Sequence, residues 1–338
     1  MFFSLKNNIK KYFLKQDAKP LFIKNNLEKN FIDFNLCRFG KKNKNKVFYV
    51  IRRSPGAGMF SNFIFVLNHL LIAEKNKFIP VVDMQNFTTI YNEKSKINNS
   101  YNAWEYYFDQ TSNYSLKEVY QSQNVVISSN KFYKSFSNII ANKKFRNIAT
   151  KYIRIKKKYI LLSKNYYQKY LNNKTLAVHY RGTSYKTSAG HPFPATYDQT
   201  INYIKLLFKD KKYNKIFLCT EDLNFFDKME KTFKKNLYYI PSFRSKKDNA
   251  FVLYPRKNHR YNLGKEILIE SLIINQCKGF LHAKTNVSEF VKFLDHKNKI
   301  YYFELYNGKN TSNEYLAPYL RYYKNLLPEF LGGFKNKL

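Results

Sequence analysis

"LAVHYRGTSYKTSAGHP", residues 176–192, breaks the pattern of the chain around it. An apolar, β-branched run carries His179 and Arg181 two residues apart, and a Gly-Thr-Ser turn, Lys186 and a His-Pro pair follow. Alternate residues of a strand face one side, so both nitrogen bases point to one face at its end. No Asp or Glu occurs from residue 181 to 197, so the segment asks for an anion from elsewhere. Arg181 offers a planar fork suited to phosphate oxygens, Lys186 a point charge, and Thr183 and Ser184 hydroxyl donors. A solvated basic loop would explain Lys186, but not a histidine in an apolar strand.

Outward from this stretch, apolar β-type runs alternate with helical-period segments. The strands read as 46–53, 77–84, 124–129, 175–181, 215–220, 278–283 and 299–305. Helices are expected over 59–76, 130–145, 196–209, 222–235, 264–277 and 286–295, with "KKNKNK" (41–46) a solvated loop. Apolar strands separated by helices indicate parallel sheets covered on both faces, a doubly wound α/β architecture. A lysine-rich break divides the chain into an N-terminal α/β domain (1–150), linking helices (151–174), a second α/β domain (175–310) and a tail helix (311–338) that returns across the other domain.

The formal charge of +37 points to an anionic partner, nucleic acid or membrane. It also follows from a compositional drift toward Lys, Asn, Ile, Phe and Tyr, the residues that AT-rich codons favour. Three cysteines show no CxxC spacing, and Cys219 and Cys277, in apolar contexts, read as core thiols in a reducing cytoplasm. The longest apolar stretch, "FIFVLNHLLIA" (63–73), is too short to span a bilayer, and the first residues lack a secretory signal. Phe2, Leu5, Ile9 and Phe13 stand near helical spacing among lysines. They fit either an interfacial helix on the inner face of the cytoplasmic membrane or an ordinary packed helix.

Three further segments carry candidate chemistry. In "RRSPGAGMFSN" (52–62), Gly56 and Gly58 permit a tight turn before a helix whose N-terminus attracts anions, although any strand-to-helix turn uses glycine. Asp83 ends a strand, where ligand-facing residues of open sheets collect. Trp104, with Glu105, Tyr106 and Tyr107, reads either as an aromatic shelf for a sugar ring or as a buried cluster. In 264–291, Glu266 and Glu270 lie one turn apart, and Glu270 stands among Leu268, Ile269, Leu272 and Ile273 with no basic residue one turn away. A buried acid there needs a donor, and a purine edge with two N–H groups would satisfy it. Thr285, Asn286 or Ser288 caps the next helix and presents N–H groups and hydroxyls to an anion.

In this order the segments resemble the fucosyltransferases of the α-1,6 and protein-O type, including the nodulation fucosyltransferases. "GAGMFSN" matches the family's glycine-rich turn, "HYRGTSYK" its His-x-Arg strand end and basic loop, and "EILIESLIINQCKGFLHAKTNVSEF" its acid-bearing helix, strand and Ser-rich helix start. The resemblance implies a GT-B-like fold, two Rossmann-type domains facing a cleft. It also implies inverting, metal-independent transfer of a sugar from a nucleotide donor, typically GDP-fucose, to a glycan or lipid-linked glycan. By position, Gly56, Gly58 and Asn62 would form the glycine-rich turn. Arg181 would hold the diphosphate with Lys186, and His179 would shape the loop. Glu221 and Asp222 would line the nucleoside, Glu270 would read the guanine edge, and Thr285, Asn286 and Ser288 would take phosphate. The family's Asp-Lys after the threonine is replaced by Ser184-Tyr185-Lys186, leaving His191, Asp83 and Glu105 as candidates for the general base.

Independently of the resemblance, ten aspartates include no two that stand two apart, so the Asp-x-Asp metal motif is absent. Arg, Lys and a helix N-terminus would then neutralise the leaving diphosphate, and no cofactor is expected. The rival reading, a nucleic-acid-binding protein, wants basic residues gathered on one face among aromatics, whereas these lysines are scattered and no such module occurs.

Overall fold

Hydrogen-bond register sorts the strands into two separate five-stranded sheets. The computed structural model describes residues 19–20, 35–130, 143–210 and 212–335. The expected N-terminal helix and most of the 130–145 helix lie outside the described residues. The chain divides into two units, Met1–Lys156 and Lys157–Leu338.

In the first unit, β1 (Lys19–Pro20), β2 (Asn35–Cys37), β3 (Lys42–Ile51), β4 (Ile79–Val82) and β5 (Ser122–Ile127) lie in the order β1-β2-β5-β3-β4. β3 runs parallel to both β4 and β5, and β2 is antiparallel to β5. Helix α1 (Met59–Lys75) connects β3 to β4 and is buried almost all round, as its apolar sequence, interrupted only by Ser61, Asn62, Asn68 and His69 before the final Glu-Lys, dictates. Its polar side chains satisfy themselves internally: the Tyr49 hydroxyl and His69 Nδ1 meet at 2.8 Å, and Asn68 donates to the Ile64 carbonyl. A four-residue α2 (Leu116–Val119) precedes β5, and α3 (Lys143–Tyr152) follows the undescribed stretch. The expected loop at 41–46 is instead largely strand. Across a register shift between Lys42 and Val47 its backbone pairs with β5, leaving the lysines to alternate into solvent.

The second unit holds β6 (Thr175–Tyr180), β7 (Lys215–Thr220), β8 (Leu237–Tyr238), β9 (Gly279–His282) and β10 (Tyr301–Glu304), all parallel, in the order β10-β9-β6-β7-β8. The chain starts at the centre, winds outward to β8, then returns past β6 to wind the other way. This is a doubly wound sheet with its switch point between β6 and β9. Residues 176, 178 and 180 of β6 pack with α5 (Tyr197–Lys209) and α6 (Leu223–Phe233) in one apolar core. The opposite face meets α7 (His259–Ile274) and α8 (Asn286–Leu294), with α4 (Lys157–Tyr170) beyond, where the Tyr159 and Tyr261 hydroxyls pair at 3.1 Å.

Helix α9 (Ala317–Leu326) packs on its own unit, where Arg321 donates to the carbonyls of Pro194 and Ala195 and Phe193 meets Phe334 edge-on. Together with Asn307, whose amide pairs reciprocally with Gln199, the tail fixes the segment leading into α5.

One side chain ties three of these elements together. Asp222 caps α6 through the Phe225 N–H and accepts from Lys186 Nζ at 2.7 Å and from the Tyr197 hydroxyl at 2.9 Å. Asp222→Ala removes the cap and leaves two donors unmatched, a loss of roughly 2–3 kcal/mol. Asp222→Asn keeps a capping oxygen and loses about half as much, both read as falls in the urea midpoint.

Candidate functional site

Strand-end residues meet at the switch point of the second unit. His179 is in register with His282 on one side and Cys219 on the other, so a row of three ionisable side chains crosses β9, β6 and β7 at their carboxyl ends. All three are buried, and burial holds each in its neutral form. It drives His179 down to about 3 and His282 down to about 4, and pushes the Cys219 thiol well up. His282 Nδ1 lies 3.0 Å from the Ala283 carbonyl, which fixes that nitrogen as the N–H donor and leaves Nε2 a bare acceptor in the interior. His179 Nδ1 lies 3.5 Å from the Thr285 hydroxyl at the start of α8. The floor of the crevice is therefore uncharged.

The anion that the basic loop wants is supplied by the protein itself. Glu221, at the end of β7, accepts at one oxygen from the Gly182 N–H, the Thr183 N–H and the Thr183 hydroxyl, at 3.0–3.1 Å. Arg181 reaches that same oxygen at 3.4 Å and lies over the Tyr185 ring. Lys186 pairs with Asp222. The missing carboxylates of residues 181–197 thus stand on the neighbouring strand, where chain position gives no hint of them. Gly182, which the sequence does not mark, allows this closure: a Cβ there would come within 2.3 Å of the Asp222 carboxylate. The Arg181 side chain keeps 35% of its surface exposed.

At α8 the side chains serve the helix. Thr285 accepts from the Ser288 N–H while Ser288 Oγ accepts from the Thr285 N–H, so these hydroxyls close a capping box instead of facing a ligand. Helix geometry leaves the N–H groups of Asn286 and Val287 as the open donors, and Asn286 is exposed.

Glu270 is 4% exposed, and it is not waiting for a partner. The Cys219 thiol donates to one oxygen at 3.1 Å and the Ser242 hydroxyl to the other at 3.0 Å. Burial still raises its carboxyl to about 7, against the lowering effect of the thiol, Arg244 and the hydroxyl. Glu266 is held by Arg256 through two bonds of 2.6 and 2.8 Å, and with the Phe243 N–H this pins the loop after β8.

The three base candidates differ. Asp83, fully buried, accepts at one oxygen from the Gln85 and Asn86 N–H groups and at the other from the Asn86 amide and Tyr120 hydroxyl, so it organises a turn. Glu105 ties Ser100, Asn102 and Gln110 together. His191 is exposed, stacked near Tyr185 at 4.7 Å, with its pKa lowered by partial burial, Arg181 and Lys309. It is a neutral imidazole with solvent access. Asp83 and Glu105 belong to the first unit, His191 to the second. The aromatic shelf resolves to the buried alternative, since Trp104 stacks on Phe108 at 4.3 Å and donates to the Asp109 carbonyl. Asn62 folds back on the Ala57 N–H, beneath Gly56 at φ +75°, while Gly58 caps α1 without a side chain. Among the described residues no three His, Cys, Asp or Glu cluster as a metal site.

No protein-family model matches the sequence, and no curated protein matches it. The structure is similar to fucosyltransferase NodZ from Bradyrhizobium, with a TM-score of 0.44 and 11% identity over 73% of this chain and 92% of that one. It is similar also to NodZ α-1,6-fucosyltransferase soaked with GDP-fucose (TM-score 0.45, 11% identity, 75% and 97%). POFUT1 in complex with GDP-fucose gives a TM-score of 0.45 at 11% identity, over 78% and 99%.

The buried neutral histidines have a definite pH signature. Above about pH 6.5 the unfolded and folded chains both carry them uncharged, so the fold loses nothing. As pH falls below that value the unfolded chain takes up protons that the folded one refuses until about pH 3–4, and stability drops. From pH 6.5 to 5 the loss is about 2 kcal/mol per histidine. Glu270 acts oppositely: its contribution is full below about 4.5 and is lost as pH rises toward 7, so single profiles partly cancel. His179→Gln should therefore be compared with wild type at each pH. Its unfolding free energy should lose about 2 kcal/mol less between pH 6.5 and 5, and identical slopes would mean that His179 is not held neutral.

Proposed function

We propose that the chain is a glycosyltransferase that binds a nucleotide sugar at the β6/β9 switch point of its second unit. The observation that carries the reading is the convergence there of the partly exposed Arg181 fork and the open N–H groups of α8 over a buried, uncharged floor. A low-dielectric floor strengthens every donor aimed at a diphosphate. Ligands of open α/β sheets bind at such a crevice, outside the carboxyl ends of the strands.

In this reading the diphosphate lies between Arg181 and the start of α8, with Asn286 beside it. The nucleoside extends toward β7 and β8, where Glu221, the Ser242–Ser245 loop and Glu270 stand. Arg181 exchanges its Glu221 contact for phosphate oxygens, and Glu221 continues to hold the loop through Gly182 and Thr183. Glu270 acts on the base through Ser242, whose hydroxyl it accepts. His191 takes the proton of the acceptor hydroxyl as that oxygen attacks the anomeric carbon opposite the phosphate, which inverts the centre. The donor is GDP-linked, with fucose the sugar that the resemblance implies. Arg181 and the α8 N-terminus neutralise the leaving group without a metal, and the acceptor is a glycan or lipid-linked glycan of a bacterial surface polysaccharide.

Calorimetric titration of GDP and UDP tests the reading. GDP should bind at least about tenfold more tightly than UDP, or ~1.4 kcal/mol. Arg181→Ala should weaken GDP by about tenfold to a hundredfold, since a charge-assisted bidentate contact is lost, and Arg181→Lys should restore little of it. Equal affinities for the two nucleotides would remove guanine from the assignment, and no binding of either would remove the nucleotide.

A further inference from the structure

Helix α9 is amphipathic the wrong way round. Tyr319, Tyr322, Tyr323 and Leu326 stand at i, i+3, i+4 and i+7, the spacing of a core-facing stripe. Yet these four side chains are 58–64% exposed. The face turned inward carries Ala317 and Arg321, and the arginine is spent on the carbonyls of residues 194 and 195. The outward stripe continues at both ends, through Tyr315 and Leu316 before the helix and Leu327, Phe330 and Leu331 after it, with Tyr315 and Phe330 at 87% and 85% exposure. A contiguous apolar surface of this extent marks an interaction site.

We propose that this face seats the protein on an anionic membrane surface. Three observations select that occupant. Tyr322 lines a cavity with Arg321 and Lys186, and the rest of the stripe is a ridge on the outer side of the helix, the form in which an interfacial helix lies in the headgroup plane. Four of its side chains are tyrosines, whose apolar rings and polar hydroxyls suit the boundary between acyl chain and water. The charge is complementary: Lys309, Lys324 and Lys335 outnumber Glu314 and Glu329 in the same segment, and the whole chain carries +37. A second copy of the chain would bring that same +37 against this face, which disfavours self-association. Among the described residues no helix is long and apolar enough to cross a membrane, so the contact is peripheral. The stripe shares no residue with the lining of the β6/β9 crevice, and the proposal does not depend on nucleotide binding.

Flotation of the full-length protein with vesicles tests it. Wild type should rise with phosphatidylcholine vesicles containing phosphatidylglycerol, stay down with phosphatidylcholine alone, and be released by high salt. The combined variant Tyr319→Ser/Tyr323→Ser/Phe330→Ser should partition at least about tenfold less, with thermal unfolding unchanged because the three side chains touch solvent. Phe330→Ser alone, at the most exposed end, should give a smaller loss in the same direction and guards against a folding defect in the triple variant. The proposal is overturned if wild type ignores anionic vesicles, or if the triple variant binds them as wild type does. It is also overturned if light scattering without lipid shows a wild-type dimer that the triple variant lacks, which would make a second copy the occupant.

Discussion

A carboxylate pair at the end of β7 holds the functional half of this protein together. Glu221 gathers the N–H groups of Gly182 and Thr183 and the Arg181 fork, while Asp222 caps α6 and neutralises Lys186. Without them, Arg181 and Lys186 would repel each other across one short loop, and the β6 end would have no reason to fold over the crevice. The pairing also makes the loop adjustable. Arg181 is bound at 3.4 Å and remains partly exposed, a contact that a better anion can replace.

Beneath that loop, the sheet removes charge instead of pairing it. His282, His179 and Cys219 form a row whose charged states are suppressed by burial, and Glu270 behind them is raised for the same cause. Such a floor costs stability in acid, and it gives the donors above it a low-dielectric setting, in which the diphosphate of the proposed donor would be held more strongly than in water. The two layers are complementary: cations and helix N–H groups at the rim, neutral groups below.

The tail works on both sides of the same unit. Its inward residues, Arg321 and Phe334, brace the segment 190–197 that leads from the loop into α5. Its outward residues present tyrosine and leucine to solvent. A charged inner face and an apolar outer face are consistent with each other only when the outer one has a partner, and the basic composition of the chain selects an anionic one.

By itself the sequence determined seven of the ten described strands, missing β1, β2 and β8, and most of the helices. Continuous apolar runs between helical segments leave parallel sheets as the way to bury both faces. It also placed His179 and Arg181 on one face, and narrowed the next helix start to Thr285, Asn286 or Ser288. What it left undecided involves partners distant along the chain. The absence of acid in 181–197 read as a demand for ligand, because Glu221 lies forty residues away from Arg181 and becomes its neighbour only when β6 pairs with β7. Glu270 appeared unpartnered for the same reason, since Cys219 and Ser242 reach it across the sheet. His282 gave no signal at all: one histidine in "KGFLHA" looks like core until register sets it beside His179. The tail's tyrosines carried a buried stripe's spacing, and only packing decided that Arg321 would turn inward and the stripe outward. Periodicity fixes which residues share a face, but which face is covered depends on what the rest of the fold brings to it.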